Sequence, residues 1–217
     1  MAARPRFISL PLPNPSTRDS LPAEHYPTID FVLKQLRASS RRLRAVWTSQ
    51  EDELRVLERL YYKGKNQHRS ALFWRRLVEV RRYGARVRET DLPGLVDTLR
   101  GSFHADDIKN EKALRIAWAQ VPDITYVRRI LERMHSATML MDKAQAQLLI
   151  AFGVFTTFME STSFLPLTVT IIAATSRLNI LIGELRDIVE DAQMCVRRIL
   201  GVHVCHLHLS APQYLLY

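Results

Sequence analysis

The chain has 217 residues, is 47% apolar, carries a formal net charge of +9 and contains seven glycines and two cysteines. That apolar content excludes a disordered chain, and two cysteines exclude a small disulfide-stapled scaffold. The charge is one-sided: residues 1–90 hold 19 Lys and Arg against 9 Asp and Glu, and the remainder 12 against 13, so the excess points to a densely anionic partner, either nucleic acid or an anionic membrane.

Six of the ten prolines fall within residues 1–27, a spacing that no helix or central strand survives. This segment reads as a flexible, irregular arm. Thr28 can cap a first helix over about 29–46, with Phe31, Val32, Leu36, Leu43 and Val46 on its apolar side. Ser49-Gln-Glu-Asp resembles a capping box, and it predicts a second helix over about 50–89 with a soft spot at Gly64. Pro93 opens a short helix to about residue 100, and another short one is expected over 110–120. Pro122 opens a long helix to about 158. Ser161-Thr-Ser-Phe-Leu-Pro breaks it, and a last long helix covers about 166–200. The fold class is therefore all-α: a helical bundle with four long helices and two short ones, flanked by the Pro-rich arm. Residues 28–200 form the domain, and 201–217 an irregular tail.

The uncharged runs 144–159 and 161–176 are 16 residues each, short of the roughly 20 that a spanning helix needs. They predict a buried hairpin rather than a membrane pair. The start leads into Pro-rich sequence rather than an apolar run, so no secretory signal is read. With two cysteines, a reducing intracellular compartment is expected.

The stretch 57–83, LERLYYKGKNQHRSALFWRRLVEVRRY, interleaves eight cations with five aromatic residues around Asn66, Gln67 and His68. On one continuous helix, Lys65, Arg69 and Arg76 fall at i, i+4 and i+11 and share a face near Tyr62. Leu57, Leu60, Tyr61, Gly64, His68 and Ala71 form a different, core-facing stripe. A cation row on a rigid rod can follow a phosphate backbone. Arg forks phosphate oxygens and stacks on bases, and Asn and Gln read base edges or 2′-hydroxyls. The plainer reading is a solvated charged face. Trp74, Tyr61 and His68 read more readily as interhelical contacts than as base platforms or catalytic groups.

Leu60-Tyr-Tyr-Lys-Gly-Lys-Asn-Gln-His-Arg69, followed by Phe73-Trp-Arg-Arg-Leu77, closely resembles the signature of the RNase MRP-specific small protein subunit of fungi. The same block is similar to the N-terminal domain of the nucleolus and neural progenitor protein family. A weaker likeness follows in Phe164-Leu-Pro-Leu-Thr-Val-Thr-Ile-Ile-Ala-Ala-Thr-Ser-Arg-Leu178, and the two together cover about 30–199. The resemblance implies an all-α protein of the nucleus and nucleolus, bound to the RNA component of RNase MRP and to other protein subunits of that particle. The particle processes precursor ribosomal RNA with its RNA as catalyst, so the chain is not expected to be an enzyme or to hold a cofactor. No small-molecule substrate and no membrane is implied. Carried over by position, the RNA-facing residues would be Tyr62, Lys63, Lys65, Asn66, Gln67, His68, Arg69, Trp74, Arg75 and Arg76. The chain departs from the family at residues 201–217, where Lys, Arg, Asp and Glu are all absent and the family often has a Lys-rich tail.

Other constellations are weaker. His203, Cys205, His206 and His208 are metal-ligand types without a second pair at finger-like spacing. Asp106 and Asp107 lack the partners of a two-metal nuclease site, and no phosphate-cradling glycine loop or nucleophile elbow is present. The alternatives to RNA binding are a helical scaffold for an acidic protein and, behind it, a membrane-associated helical protein.

Overall fold

The computed structural model describes residues 10, 13–104, 117–160 and 164–210, with side chains up to His203. Among these, the elements in chain order are β1 (Ser16–Thr17), α1 (Tyr26–Gly64), α2 (Leu72–Arg88), α3 (Leu92–Gly101), β2 (Gln120–Val121), α4 (Ile124–Glu160) and α5 (Leu165–Ser210). The all-α expectation holds; the only strands among the described residues are the two-residue pair β1 and β2.

The helix boundaries differ from the sequence expectation in instructive ways. Helix α1 passes through Ser49 without a break. Thr48 and Ser49 donate their hydroxyls back to the carbonyls of Arg44 and Ala45, so they bond within the helix instead of capping a new one. No Gly or Pro lies between Thr28 and Lys63 to interrupt it. It begins ahead of Thr28 because Pro27 fits a first turn, where its missing N–H is no loss. The real interruption is at residues 65–71, after Gly64, so the expected 50–89 helix is two helices. The expected 110–120 helix does not reach its end: Gln120 is in β2, and 105–116 lie outside the described residues. Helix α5 runs on to Ser210, so 201–210 are helical rather than irregular, and 211–217 lie outside the described residues.

The chain divides into two compact units, to each of which α1, α4 and α5 contribute. Unit 1 comprises residues 1–41, 92–135 and 190–217. Its core gathers Ile29, Val32 and Leu36 of α1, Leu95, Val96 and Leu99 of α3, Val127 and Ile130 of α4, and Val196 and Ile199 of α5. The described part of the Pro-rich arm is held here rather than free. Ser16 and Thr17 pair antiparallel with Val121 and Gln120. The Arg18 guanidinium lies 4.3 Å from the Tyr26 ring and 4.4 Å from the Trp118 ring, and the Trp118 indole donates to Asp30 at 2.8 Å. Asp123 caps α4: its carboxylate accepts the Tyr126 N–H at 3.2 Å and the Asn14 N–H at 3.4 Å.

Unit 2 comprises residues 42–91 and 136–189. Ala137, Met141, Ala144, Leu148, Ala151 and Phe155 recur along α4 in alternating steps of four and three, and Ile171, Ala174, Leu178, Leu181, Leu185 and Ile188 do the same along α5. That seven-residue period is the seam of a coiled-coil-like pair. Asp142 binds Arg186 at 2.8 Å and Gln145 reaches the Asn179 carbonyl at 3.3 Å, the order of an antiparallel hairpin. Helix α2 lays Phe73, Leu77, Val80, Gly84 and Val87 into the same core. By length and composition alone, Leu165–His203 could cross a bilayer; here its apolar period is used for packing.

Candidate nucleic-acid interface

The segment between α1 and α2 turns a corner. Gly64 ends α1 with an ordinary helical φ, so its glycine is not there for a left-handed cap. It is there for space: a Cβ on Gly64 would lie 2.4 Å from Cη2 of Trp74. The backbone then closes with short turns, Lys65 N–H to the Tyr61 carbonyl at 2.9 Å, His68 N–H to Gly64 at 3.0 Å and Ala71 N–H to His68 at 2.9 Å. Ala71 is extended and starts α2 without a side-chain cap.

What holds the corner is aromatic. His68 is 6% exposed, with its ring 5.4 Å from Phe73, 5.3 Å from Trp74 and 4.7 Å from Phe164. Trp74 is 2% exposed and stacks on Tyr61 at 5.8 Å. Phe73 stacks on Phe158 at 4.1 Å. The Arg81 guanidinium lies over the Tyr61 ring at 3.6 Å, and Glu58 holds it through a hydrogen bond of 2.9 Å from Nε.

These contacts sort the ten candidate residues. His68 and Trp74 are buried members of the aromatic cluster, so neither offers a ring face to a ligand; this corrects their reading as RNA-facing. Arg76 is half-buried and donates to Glu79 at 2.7 Å. The i, i+4, i+11 face of Lys65, Arg69 and Arg76 does not exist, because the helix it assumed ends at Gly64. In its place Lys65, Asn66, Arg69 and Arg75 converge with Tyr61, Trp74 and Val78 around one shallow concavity of about 200 Å³. Tyr62, Lys63 and Gln67 stand exposed beside them, and Lys65 Nζ lies 4.6 Å from the Tyr62 ring centre. Among the described residues no carboxylate pairs with Lys63, Lys65, Arg69 or Arg75, although other exposed cations of this unit are paired, as Arg55 is with Glu51 and Asp52.

Arg81 and Val78 were missed by sequence reasoning. The Glu58–Arg81 bridge joins residues 23 apart across the corner, and no local pattern signals such a pairing. A second concavity, of about 580 Å³, lies on the other side of the start of α2, lined by Leu72, Phe73, Ile150, Gly153, Val154 and Phe158 among others. It is apolar, and Leu72 at its rim is 61% exposed. No group of three or more metal-ligand residues occurs among the described side chains. Of the candidate metal quartet, the side chains of Cys205, His206 and His208 lie outside them. Cys195 is buried, and burial pushes its thiol up, against a smaller opposing pull from Arg198 and with a still smaller push from Asp191; such a thiol is a packing residue rather than a nucleophile.

A family model described as "Nucleolus and neural progenitor protein, N-terminal" matches residues 10–191. No curated protein and no solved structure gives a match.

Proposed function

Because the chain belongs to the nucleolus and neural progenitor protein family through that N-terminal region, we propose that it is a noncatalytic RNA-binding subunit of a nucleolar ribonucleoprotein, RNase MRP, acting in precursor ribosomal RNA processing. One observation carries the RNA-binding part: Lys65, Asn66, Arg69 and Arg75 converge on one concavity with no acidic partner among the described residues. Phosphate oxygens satisfy convergent cations of this kind, and forked guanidinium groups suit them best. The particle is proposed from the likeness of the block 60–77 to the RNase MRP-specific subunit, and the nucleolar address is supported by the family's own description. The protein's task in such a particle is to hold RNA rather than to cut it, and other subunits would be its protein partners.

The test is to recover the protein from cells after crosslinking and sequence the attached RNA, with the triple variant Lys65→Glu, Arg69→Glu, Arg75→Glu as control. Enrichment of the RNase MRP RNA that the triple variant loses is the expected outcome. Wild-type recovery of that RNA by the variant would remove the corner from the interface, and recovery of unrelated RNA would remove the particle.

A second reading, a scaffold for an acidic protein, is favoured by the apolar groove at Leu72, Phe73 and Ile150, which lies in the same unit as Arg69 and Arg75. An amphipathic helix with carboxylates at its edge would fit there. Under that reading, RNase treatment leaves the partners attached.

A further inference from the structure

The break after Gly64 changes what kind of RNA suits the corner. A straight helix would present its cations as a row, suited to the regularly spaced phosphates of a duplex. The corner instead sets Lys65, Arg69 and Arg75 around one concavity. A sharply turned single strand brings successive phosphates around one such place. The concavity, at about 200 Å³, is below the roughly 300 Å³ where pockets for drug-sized ligands begin, and it suits one flat ring system.

Tyr62 adds the second element. Its ring is 73% exposed, whereas Tyr61 and Tyr83 are packed. Among the described residues its one ring contact is the Lys65 ammonium at 4.6 Å, a cation that also lines the concavity. An aromatic ring in solvent beside a cluster of cations is the arrangement on which unpaired bases stack, and stacking is tolerant of sequence because every base has a π-face. The Asn66 amide, in the wall of the concavity, offers both a donor and an acceptor to a base edge. In an A-form duplex the major-groove edges lie too deep for side chains, the Watson–Crick edges are paired, and the bases are stacked on each other.

Resting on the RNA-binding reading above, we infer that the corner holds an unpaired nucleotide: Tyr62 stacks on the base, Asn66 reads its edge, and Lys65, Arg69 and Arg75 hold the flanking phosphates. The substrate class is single-stranded RNA, in loops or junctions, rather than duplex.

The test uses the full chain with two labelled probes, a short oligouridine strand and the same strand annealed to oligoadenosine, each titrated at several salt concentrations. The single strand is expected to bind at least ten-fold more tightly, roughly the size of one base-stacking contact. Tyr62→Ala should remove most of that preference and leave duplex affinity and the salt slope unchanged. Arg75→Ala should weaken both probes and lower the salt slope by about 1. Tyr62 is exposed, so its variant keeps the fold, checked by circular dichroism. Equal affinity for both probes keeps the RNA reading and overturns the single-strand inference, as does a Tyr62→Ala loss that is the same on both. No binding to either probe overturns the RNA reading and this inference with it.

Discussion

Gly64→Ala tests whether the corner is held by the approach of Trp74. The added methyl would lie 2.4 Å from Cη2 and 3.0 Å from Cζ3 of that ring, about an ångström inside ordinary contact. The ring cannot easily retreat, because Tyr61 stacks on one side, His68 lies 5.3 Å away and Phe73 meets it edge-on at 6.0 Å. Overpacking a rigid site costs about 1–3 kcal/mol, and a buried indole held on three sides belongs at the upper end. Alanine recovers at most about 1 kcal/mol of helix propensity, so the net loss is about 2 kcal/mol. For a chain of this size each kcal/mol moves the melting temperature by about 2–4 °C, and a drop of about 4–8 °C is expected in thermal unfolding followed by circular dichroism. Trp74→Phe removes both obstructing atoms, so the Gly64→Ala penalty in that background should shrink by at least about 1 kcal/mol, read as the coupling of a double-mutant cycle. A Gly64→Ala protein as stable as the parent, or an unchanged penalty beside Phe, refutes this account. Gly84 provides the contrast: its added Cβ meets only the side chain of Leu54, which can rotate away, so Gly84→Ala should cost less than Gly64→Ala.

Asp123→Ala should cost about 1 kcal/mol, as loss of an N-cap does, and the loss should show in hydrogen exchange at the first turn of α4. Burial alone would raise the Asp123 carboxyl, but hydrogen bonds from the Thr125 hydroxyl and the N–H groups of Tyr126, Asn14 and Asp123 itself outweigh it and hold the group below the usual 3.8. A lowered folded value means its contribution is complete above the ordinary carboxylate range and fades as pH falls through the folded value. The stability gap between wild type and Asp123→Asn should therefore narrow in acid, and a gap that persists unchanged there would contradict the assignment. In unit 1, Asp97 takes hydrogen bonds from Ser40 at 2.7 Å and Arg100 at 3.2 Å, with both members of the ion pair about nine-tenths buried. Asp97→Ala should cost about 3–5 kcal/mol by breaking a buried ion pair, whereas Asp97→Leu with Arg100→Met should cost much less. Urea denaturation decides between them, and equal losses would show that the pair is not what matters.

The periods of α2, α4 and α5 were legible because burial in a bundle imposes spacing directly on the sequence: Phe73, Leu77, Val80, Gly84 and Val87 mark one face without any tertiary knowledge. The helix ends at the corner were not. Ser49 looked like a start because a hydroxyl before acids is a common cap, yet the same hydroxyl bonds back to Ala45 when nothing stops the helix. Gly64 looked like a soft spot in a continuous helix. What turns it into an end is Trp74, ten residues on, and His68, packed beneath Phe164 from the turn before α5. Neither contact leaves a local trace. The capping role of Asp123 was hidden for a related reason: Pro122 reads as the opening of the helix, but the carboxylate one residue later accepts the Tyr126 N–H of its first turn.

The same packing that hid the corner also determines which of its residues can act. Once His68 and Trp74 turn inward, their neighbours Lys65, Asn66, Arg69 and Arg75 must turn outward, and the short turns between Gly64 and Ala71 bring them to one place. Arg76, one residue further along α2, falls on another side and is taken by Glu79. An aromatic cluster that packs the corner thus converts a cation row into a cation pocket. The proposal for unpaired RNA follows from that conversion, so a variant that straightened the helix by removing the cluster should lose the single-strand preference even with every cation in place.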